Sequence, residues 1–272
     1  MTGLVSVIDT AAMPWAPEPA IRGMLVKKLH VDAATGGTVQ IHFVPPDYGI
    51  HVMFRRPNRH YHRTAWERSL CLYGDFPHWE WRDGADLEGD LITFRRGTFM
   101  DRPPLTLHGL KAEPRSIAGA QLLEWSTWGG TGLDDPAAKQ ETFDVAFDDS
   151  ARGINLPFTS PRIFQADTVP WLASRPGWKW KPLADDAPRA PACGLLNIAA
   201  DAPGAGETLT ARGAFAWFFV FAGDLRLQVD GRPLHLREGG FVRWEAPADL
   251  RLAKGSLSDT GATLLCVGTQ LI

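Results

Sequence analysis

His60-Tyr61-His62-Arg63-Thr64-Ala65-Trp66-Glu67, continued by Arg68-Ser69-Leu70-Cys71-Leu72-Tyr73-Gly74, is the stretch around which the rest of the chain is read. Its pattern is His-x-His, four residues, Glu, six residues, Gly. Trp66, residues 69–72 and Tyr73 give it the aromatic and apolar composition of strands. Side chains alternate along a strand, so His60 and His62 project side by side from one face. Glu67 opens the next extended run, and a hairpin there folds its carboxylate back over the two imidazoles. Two neutral nitrogens and a carboxylate oxygen make half a shell for a divalent first-row metal, with positions left open. Taken alone, a His-x-His strand is more commonly a solvated His-rich strand.

A second block bears on that choice. Gly97-Thr98-Phe99-Met100-Asp101-Arg102-Pro103-Pro104-Leu105-Thr106-Leu107-His108 reads as another strand and turn carrying one more His. Together the blocks offer three His and one Glu, a donor set suited to a metal. They resemble the two signature motifs of the cupin family, HxHx(3,4)Ex(6)G and Gx(5)PxGx(2)Hx(3)N. The first matches throughout. The second matches at Gly97, Pro103 and His108, but Leu105 replaces its second Gly and Ala112 its Asn. The resemblance implies a jelly-roll β-barrel with one divalent metal on His60, His62, Glu67 and His108.

Length and composition set the frame. The 272 residues are comfortable for two domains, and 44% hydrophobic with 22% charged residues is usual for a soluble globular chain. A net charge of −3 gives no general attraction to nucleic acid or anionic membrane. No apolar run approaches the ~20 residues that cross a bilayer, and Met1 to Trp15 lacks the basic and apolar regions of a secretory signal. Cys71, Cys193 and Cys266 are odd in number and far apart, so neither a disulfide framework nor a zinc ribbon is expected, and a cytoplasmic location fits. Eleven Trp residues are many; they read as core or interface, with some walling a cavity.

The chain repeats itself. Asp9-Thr10, Pro14-Trp15 and Gly23 with Lys27 and Leu29 return as Asp167-Thr168, Pro170-Trp171 and Gly177 with Lys181 and Leu183. Gly74-Asp75-Phe76 returns as Gly223-Asp224-Leu225, and Gly97-Thr98-Phe99 as Gly240-Phe241-Val242. The same order in both halves argues for duplication. Strands are expected near 24–30, 38–44, 50–55, 59–63, 66–73, 77–82, 90–95 and 118–126. In the second half they fall near 194–200, 214–221, 224–230, 232–237, 240–244, 248–253 and 262–268, with a hairpin turn at Asp230-Gly231. The expectation is an all-β chain of two tandem cupin barrels, residues 1–130 and 161–272. Residues 131–160 form a linker, with a helical turn near 135–142. Aligning the glycines sets Leu209, Ala211, Ala216 and Arg251 where the first half has His60, His62, Glu67 and His108. One lobe keeps the metal ligands and the other has lost them.

By strand parity Ser69, Cys71 and Tyr73 share the face of Glu67, and Met53 shares a face with Arg55. Inside a barrel these line the pocket, making Tyr73 a candidate proton donor and Arg55 a candidate partner for a substrate carboxylate or enolate. His78 reaches toward the cavity mouth, Phe76, Trp79 and Trp81 cover it, and His51 is read as hydrogen-bonded or solvated. The N-terminal lobe also resembles, loosely, acetylacetone-cleaving dioxygenases and cupin-type anti-sigma factors, although the former use three His without a Glu. Three readings follow. One is a dioxygenase with Fe(II) favoured over Zn, Mn or Ni, cleaving a small diketone, enediol or aromatic substrate. Another is a metal-assisted isomerase or lyase, and the third a non-catalytic zinc sensor. The partners expected are a small-molecule substrate and, as an option, a second copy of the chain, with no nucleic acid or membrane.

Overall fold

The computed structural model describes residues 5–19, 21–32, 37–48, 58–111, 113–127, 142–147, 151, 154, 156–187, 190–200, 202–204, 208–211, 215–229, 231–246, 248, 250–252, 255–256 and 258–271. The strand expected at 50–55, the helical turn near 135–142 up to residue 141, His51, Met53, Arg55, Ala112 and Asp230 lie outside them.

Antiparallel strands are almost the only regular structure among the described residues, with a short 3₁₀ turn at Ala166–Thr168. They fall into two units, Pro14–Ala166 and a second that joins Met1–Met13 to Asp167–Ile272. In the first unit the strand order is Thr142–Asp144, Asn58–His62, Leu107–Leu110, Trp66–Trp81, Ala120–Thr127, Thr38–Val44, Leu25–Val31, Ala16–Pro17. In the second it is Thr269–Leu271, Thr208–Ala211, Leu250–Leu252, Phe215–Val229, Ala262–Val267, Cys193–Ile198, Trp178–Ala184, Leu172–Arg175. From the His-x-His strand onward the two orders correspond strand for strand, so the repeats of the sequence are repeats of structure.

Each half was expected to have a separate pair of strands before and after its Gly-Asp. Instead one long strand crosses it, Trp66–Trp81 in the first unit and Phe215–Val229 in the second. Gly74 has φ 81° and Gly223 φ 80°. A Cβ on either would lie 1.8 Å from the carbonyl oxygen of Gly119 or Gly261, so only glycine lets the long strand pass its neighbour so closely. Asp75 then accepts the backbone N–H groups of Ile117 and Ala118 at 3.0 and 2.8 Å. Asp224 accepts Ser258 Oγ and Thr260 Oγ1 at 3.0 and 2.8 Å. A bulge precedes each glycine: pairing slips between Gln121 and Leu122 in one unit and between Val220 and Ala222 in the other.

That bulge corrects the reading of Tyr73. Leu122 faces Cys71 but Gln121 faces Tyr73, leaving Leu72 as an extra residue. An extra residue inverts the inward–outward alternation beyond it. Cys71 therefore stays in the core while Tyr73 turns outward and is 54% exposed. Tyr73 does not line the barrel.

The boundaries of the units also differ from those expected. Val5–Asp9 pairs with Gly240–Glu245 in the second unit, and Arg162–Gln165 pairs with Thr98–Arg102 in the first. Each unit thus takes the strand that precedes the other unit's repeat. The segment read as a linker is a wall of the first unit where it is described. Thr142–Asp144 extends the sheet beside Asn58–His62, and Val145 and Ala151 are buried with Trp81 and Leu107. Buried Arg59 ties it down, donating to the carbonyls of Ala146, Gly84 and Asp86. Few apolar residues were available there to signal order, because charged-group hydrogen bonds to backbone replace much of the hydrophobic packing.

The barrel interior of the first unit holds Met24, Val44, Cys71, Phe76, Phe94, Met100, Ala120 and Leu122. That of the second is built on Trp178, Leu196, Phe218, Trp244, Leu250, Leu264 and Cys266, among others. All three cysteines are buried thiols outside any disulfide. Among the described residues no helix is long and apolar enough to cross a membrane.

Candidate metal centre

The first unit brings the four predicted ligands into one place. His60 pairs directly with His108 across two neighbouring strands, and His108 in turn with Glu80 on the long strand. His60 and His62 alternate with outward Tyr61, as strand geometry requires. One nitrogen from each of His60, His62 and His108 falls within a group spanning no more than 4.8 Å. Glu67 Oε1 lies 3.2 Å from His62 Nε2, and Oε2 lies 3.6 Å from His108 Nε2.

The donor set fits a metal by its chemistry. Burial, reinforced by nearby His62, pushes His60 down to about 3. Burial, with Arg102 nearby, holds His108 well below the usual imidazole range. Both are neutral and keep a lone pair for coordination. His108 Nδ1 is 2.9 Å from the Thr106 carbonyl and His62 Nδ1 is 3.1 Å from Thr142 Oγ1. These contacts orient both rings with Nε2 toward Glu67, the outer-shell support that histidine ligands ordinarily have. Burial disfavours charge on His62 too, but the adjoining Glu67 carboxylate outweighs it and the net shift is upward. Glu67 answers in kind: burial pushes it up, but His62, His108 and Arg102 hold it well below the carboxylate range.

Arg102 and Glu80 went unnoticed in the sequence, and they complete the charge balance. Arg102 sits opposite Glu67 in the strand register. Its Nη1 donates to Glu67 Oε2 at 3.1 Å, and its Nη2 donates to Glu80 Oε1. One buried guanidinium therefore holds two buried carboxylates. The signal available was alternation: Thr98, Met100 and Arg102 share one face of their strand, as do Phe76, His78 and Glu80 of theirs. His78 stacks on His108 with ring centroids 5.7 Å apart, and its Nδ1 is 3.3 Å from Glu80. Phe76 packs beside His78 at 5.6 Å. Trp79 and Trp81 alternate to the opposite face, where Trp81 joins the cluster around Leu107 and Val145, so they do not cover the site.

Leu105, where the cupin pattern has Gly, has φ 65°. The chain keeps the left-handed turn without the residue that takes it freely, at a cost of about 1–2 kcal/mol. Its N–H donates to the His62 carbonyl at 2.8 Å, and its own carbonyl accepts from Thr159 at 3.1 Å, which holds the turn in place. Leu105→Gly is expected to leave metal content unchanged and stability within about 1 kcal/mol, strain relief offsetting glycine's entropy. Thermal melting checks this. A loss above about 2 kcal/mol would show that the leucine side chain, not the backbone, is what the site needs.

A second polar group lies on the inner face of the same barrel. His42 pairs with Leu122, and Gln40 and Ser69 both pair with Glu124. His42 Nε2 is 3.5 Å from Glu18 and Nδ1 is 3.5 Å from Glu124. Burial depresses this imidazole, yet the two carboxylates reverse that and raise it from 6.5 to about 9. Because the folded state prefers the proton, the contribution is whole below about pH 6.5 and disappears as pH rises through about 9. The lift corresponds to roughly 3 kcal/mol. Urea midpoints for wild type should fall between pH 6.5 and 9 relative to His42→Gln, whose own pH profile lacks this slope. Parallel profiles for the two proteins would rule the triad out as a proton-linked stabiliser.

The second unit replaces every member of the centre. Its registers pair Leu209 with Leu250 and Ala216 with Trp244, where the first unit pairs His60 with His108 and Glu67 with Arg102. The counterpart of His108 is thus buried Leu250 rather than the exposed Arg251 expected from the sequence. The counterpart of Gly97 is Gly239 rather than Gly240, since their N–H groups donate to the equivalent carbonyls of Cys71 and Val220, so counting from Gly240 misplaced it by one residue. Along the long strand, Leu227 and Val229 stand at the positions of His78 and Glu80. All belong to, or pack on, one apolar cluster.

No family model matches the sequence, and no curated protein does. Solved structures do match over nearly the whole chain. A Pseudomonas aeruginosa protein described as glyoxylate-induced aligns at TM-score 0.63 and 11% identity, covering 98% of this chain and 88% of its own. Escherichia coli YlbA aligns at 0.61 and 9%, covering 98% and 92%. A Bacillus subtilis oxalate decarboxylase variant aligns at 0.59 and 15%, covering 96% and 76%. With two jelly-roll units in one order and a three-His cluster inside one of them, the chain has the cupin fold in its two-lobed form.

Proposed function

We propose that the first unit holds one divalent metal on His60, His62, Glu67 and His108 and that the protein is a metal-dependent enzyme. We further propose an Fe(II) dioxygenase acting on a small diketone, enediol or aromatic substrate. The observation that carries this is the convergence of three imidazoles and one carboxylate inside a largely apolar barrel, with His60 and His108 neutral and with His62 and His108 held in orientation through Nδ1. A metal bound there supplies Lewis acidity and, as iron, the electrons for dioxygen chemistry.

The rest is done by side chains of this chain. Glu67 and Glu80 against Arg102 leave one net negative charge among neutral imidazoles, so a divalent ion leaves the centre one charge positive. Such a centre favours an anionic chelating group. Phe76, Phe94, Met100 and Leu122 exclude water and offer an apolar wall to a planar organic molecule. Arg102 keeps both carboxylates in place through the reaction. With Tyr73 outside, His78 is the imidazole nearest the ligand set among the described residues that are not part of it, and we assign proton handling to it. Arg55 remains the proposed partner for negative charge on the substrate. The cytoplasm, where cysteines stay reduced, is the proposed location.

A redox-neutral lyase or isomerase is the second reading. The fold neighbour oxalate decarboxylase from Bacillus subtilis has Mn(II) centres, so this architecture accommodates C–C cleavage with another metal. Elemental analysis followed by turnover with and without oxygen separates the two. Oxygen-dependent conversion of an enediol or diketone supports the dioxygenase. Equal anaerobic rates would transfer the assignment to the lyase.

A further inference from the structure

We propose that Glu18, His42 and Glu124, with Gln40, form a second substrate subsite in the first barrel that takes a cationic hydrogen-bond donor such as a primary ammonium group. Three observations bear on it. The first is position. Glu124 faces Ser69 across the sheet, two residues along the strand from Glu67, and its charge acts on His62. The group therefore adjoins the proposed metal centre on the same inner face.

Charge and hydrogen bonding come second. Two carboxylates flank one imidazole, so the group is net negative even with His42 protonated. Both carboxylates stand 3.5 Å from the ring, and His42, only 4% exposed, has no hydrogen bond at Nε2. Hydrogen bonds between charged groups close to about 2.7–2.9 Å. The acceptor oxygens are thus held near the imidazole without being drawn onto it. Gln40 Nε2 reaches Glu124 Oε1 only at 3.4 Å.

The second unit supplies the third. Its registers place Leu196 at the position of His42, Gly194 at that of Gln40 and Cys266 at that of Glu124. The barrel therefore forms without these polar groups, whose burial is costly. At that place the second unit has a partly open pocket of about 410 Å³ lined by Leu196, Cys266, Leu209 and Trp180 among others. Leu209 is the counterpart of His60. In the second unit the space running from the His60 position to the His42 position is thus ligand-sized, and the first unit places charge at the corresponding positions. A substrate with an anionic end at the metal and an ammonium end at Glu18 and Glu124 spans it.

This inference rests on the metal reading only for the anionic end, and two probes keep the readings apart. Ethylammonium chloride is titrated into the metal-free full-length protein while the His42 ring resonances are followed by NMR. A saturable shift, absent with ethanol, is expected. In metal-loaded protein, 3-aminopropionate should bind about tenfold more tightly than propionate, the gain from charge-assisted hydrogen bonds. Glu124→Gln and Glu18→Gln should each cut that preference to about twofold or less with metal content unchanged. Equal binding of the two acids by wild type, with no response of His42 to ethylammonium, would overturn the subsite whatever the metal content. A His42 response in a protein that binds no metal would support the subsite and remove the metal reading instead.

Discussion

Arg102→Leu is expected to destabilise the first unit by roughly 3–5 kcal/mol, the usual consequence of removing one partner from a buried ion network. Glu67 and Glu80 both lean on this guanidinium, and Arg102 is 5% exposed. Without it Glu80 loses its guanidinium partner and Glu67 keeps only the neighbouring imidazoles, so one of the two buried carboxylates must take up a proton or admit water. The second unit shows how the same barrel is built when the network is absent, with Ala216, Val229 and Trp244 at these places. A triple variant carrying Glu67→Ala, Glu80→Val and Arg102→Leu should therefore recover stability to within about 1–2 kcal/mol of wild type. Chemical denaturation of metal-free protein is the measurement. If Arg102→Leu alone changes the unfolding free energy by under about 1 kcal/mol, the guanidinium is not the counter-ion described above.

His62→Ala and His108→Ala should each lower bound metal from one per chain to under about a tenth, since even outer-shell changes cost 10–100-fold in affinity. The fold should persist, because the core around Cys71, Phe94 and Leu122 is packed without help from an ion, unlike a zinc finger. Metal content after dialysis and circular dichroism of the variants test both halves of this statement. Substitutions at Leu209 or Leu250 should leave metal content as it is. Two tightly bound equivalents in wild type, or collapse to an unfolded chain on chelation, would contradict the single-site, non-structural metal.

Much of this protein was legible in the order of its residues. His-x-His with Glu67 and the later His108 marked four donor side chains that the fold brings together, because strand alternation and local turns are short-range properties. The duplicated Gly-Asp signals marked two copies of one unit, and each glycine proved to sit where a neighbouring backbone leaves no room for a Cβ. The loss of ligands in the second half could be read from Leu209, Ala211 and Ala216.

Other features were decided only by tertiary structure. Tyr73 lies outside because a bulge at Leu72 inverts parity, and a bulge depends on the partner strand rather than on the strand's own composition. Val5–Asp9 and Arg162–Gln165 pair across large sequence separations, so no local pattern assigns them to a unit. Arg102 and Glu80 read in sequence as ordinary strand charges. What makes them part of the centre is burial opposite Glu67 and His108, which turns exposed-looking charges into an obligate network. The same holds for Glu18, His42 and Glu124, drawn from three strands and loops up to a hundred residues apart. Sequence determined the donors because neighbours along a strand carry them; the tertiary fold determined their counter-ions and hydrogen-bond partners, because electrostatic partnership is a matter of distance in space.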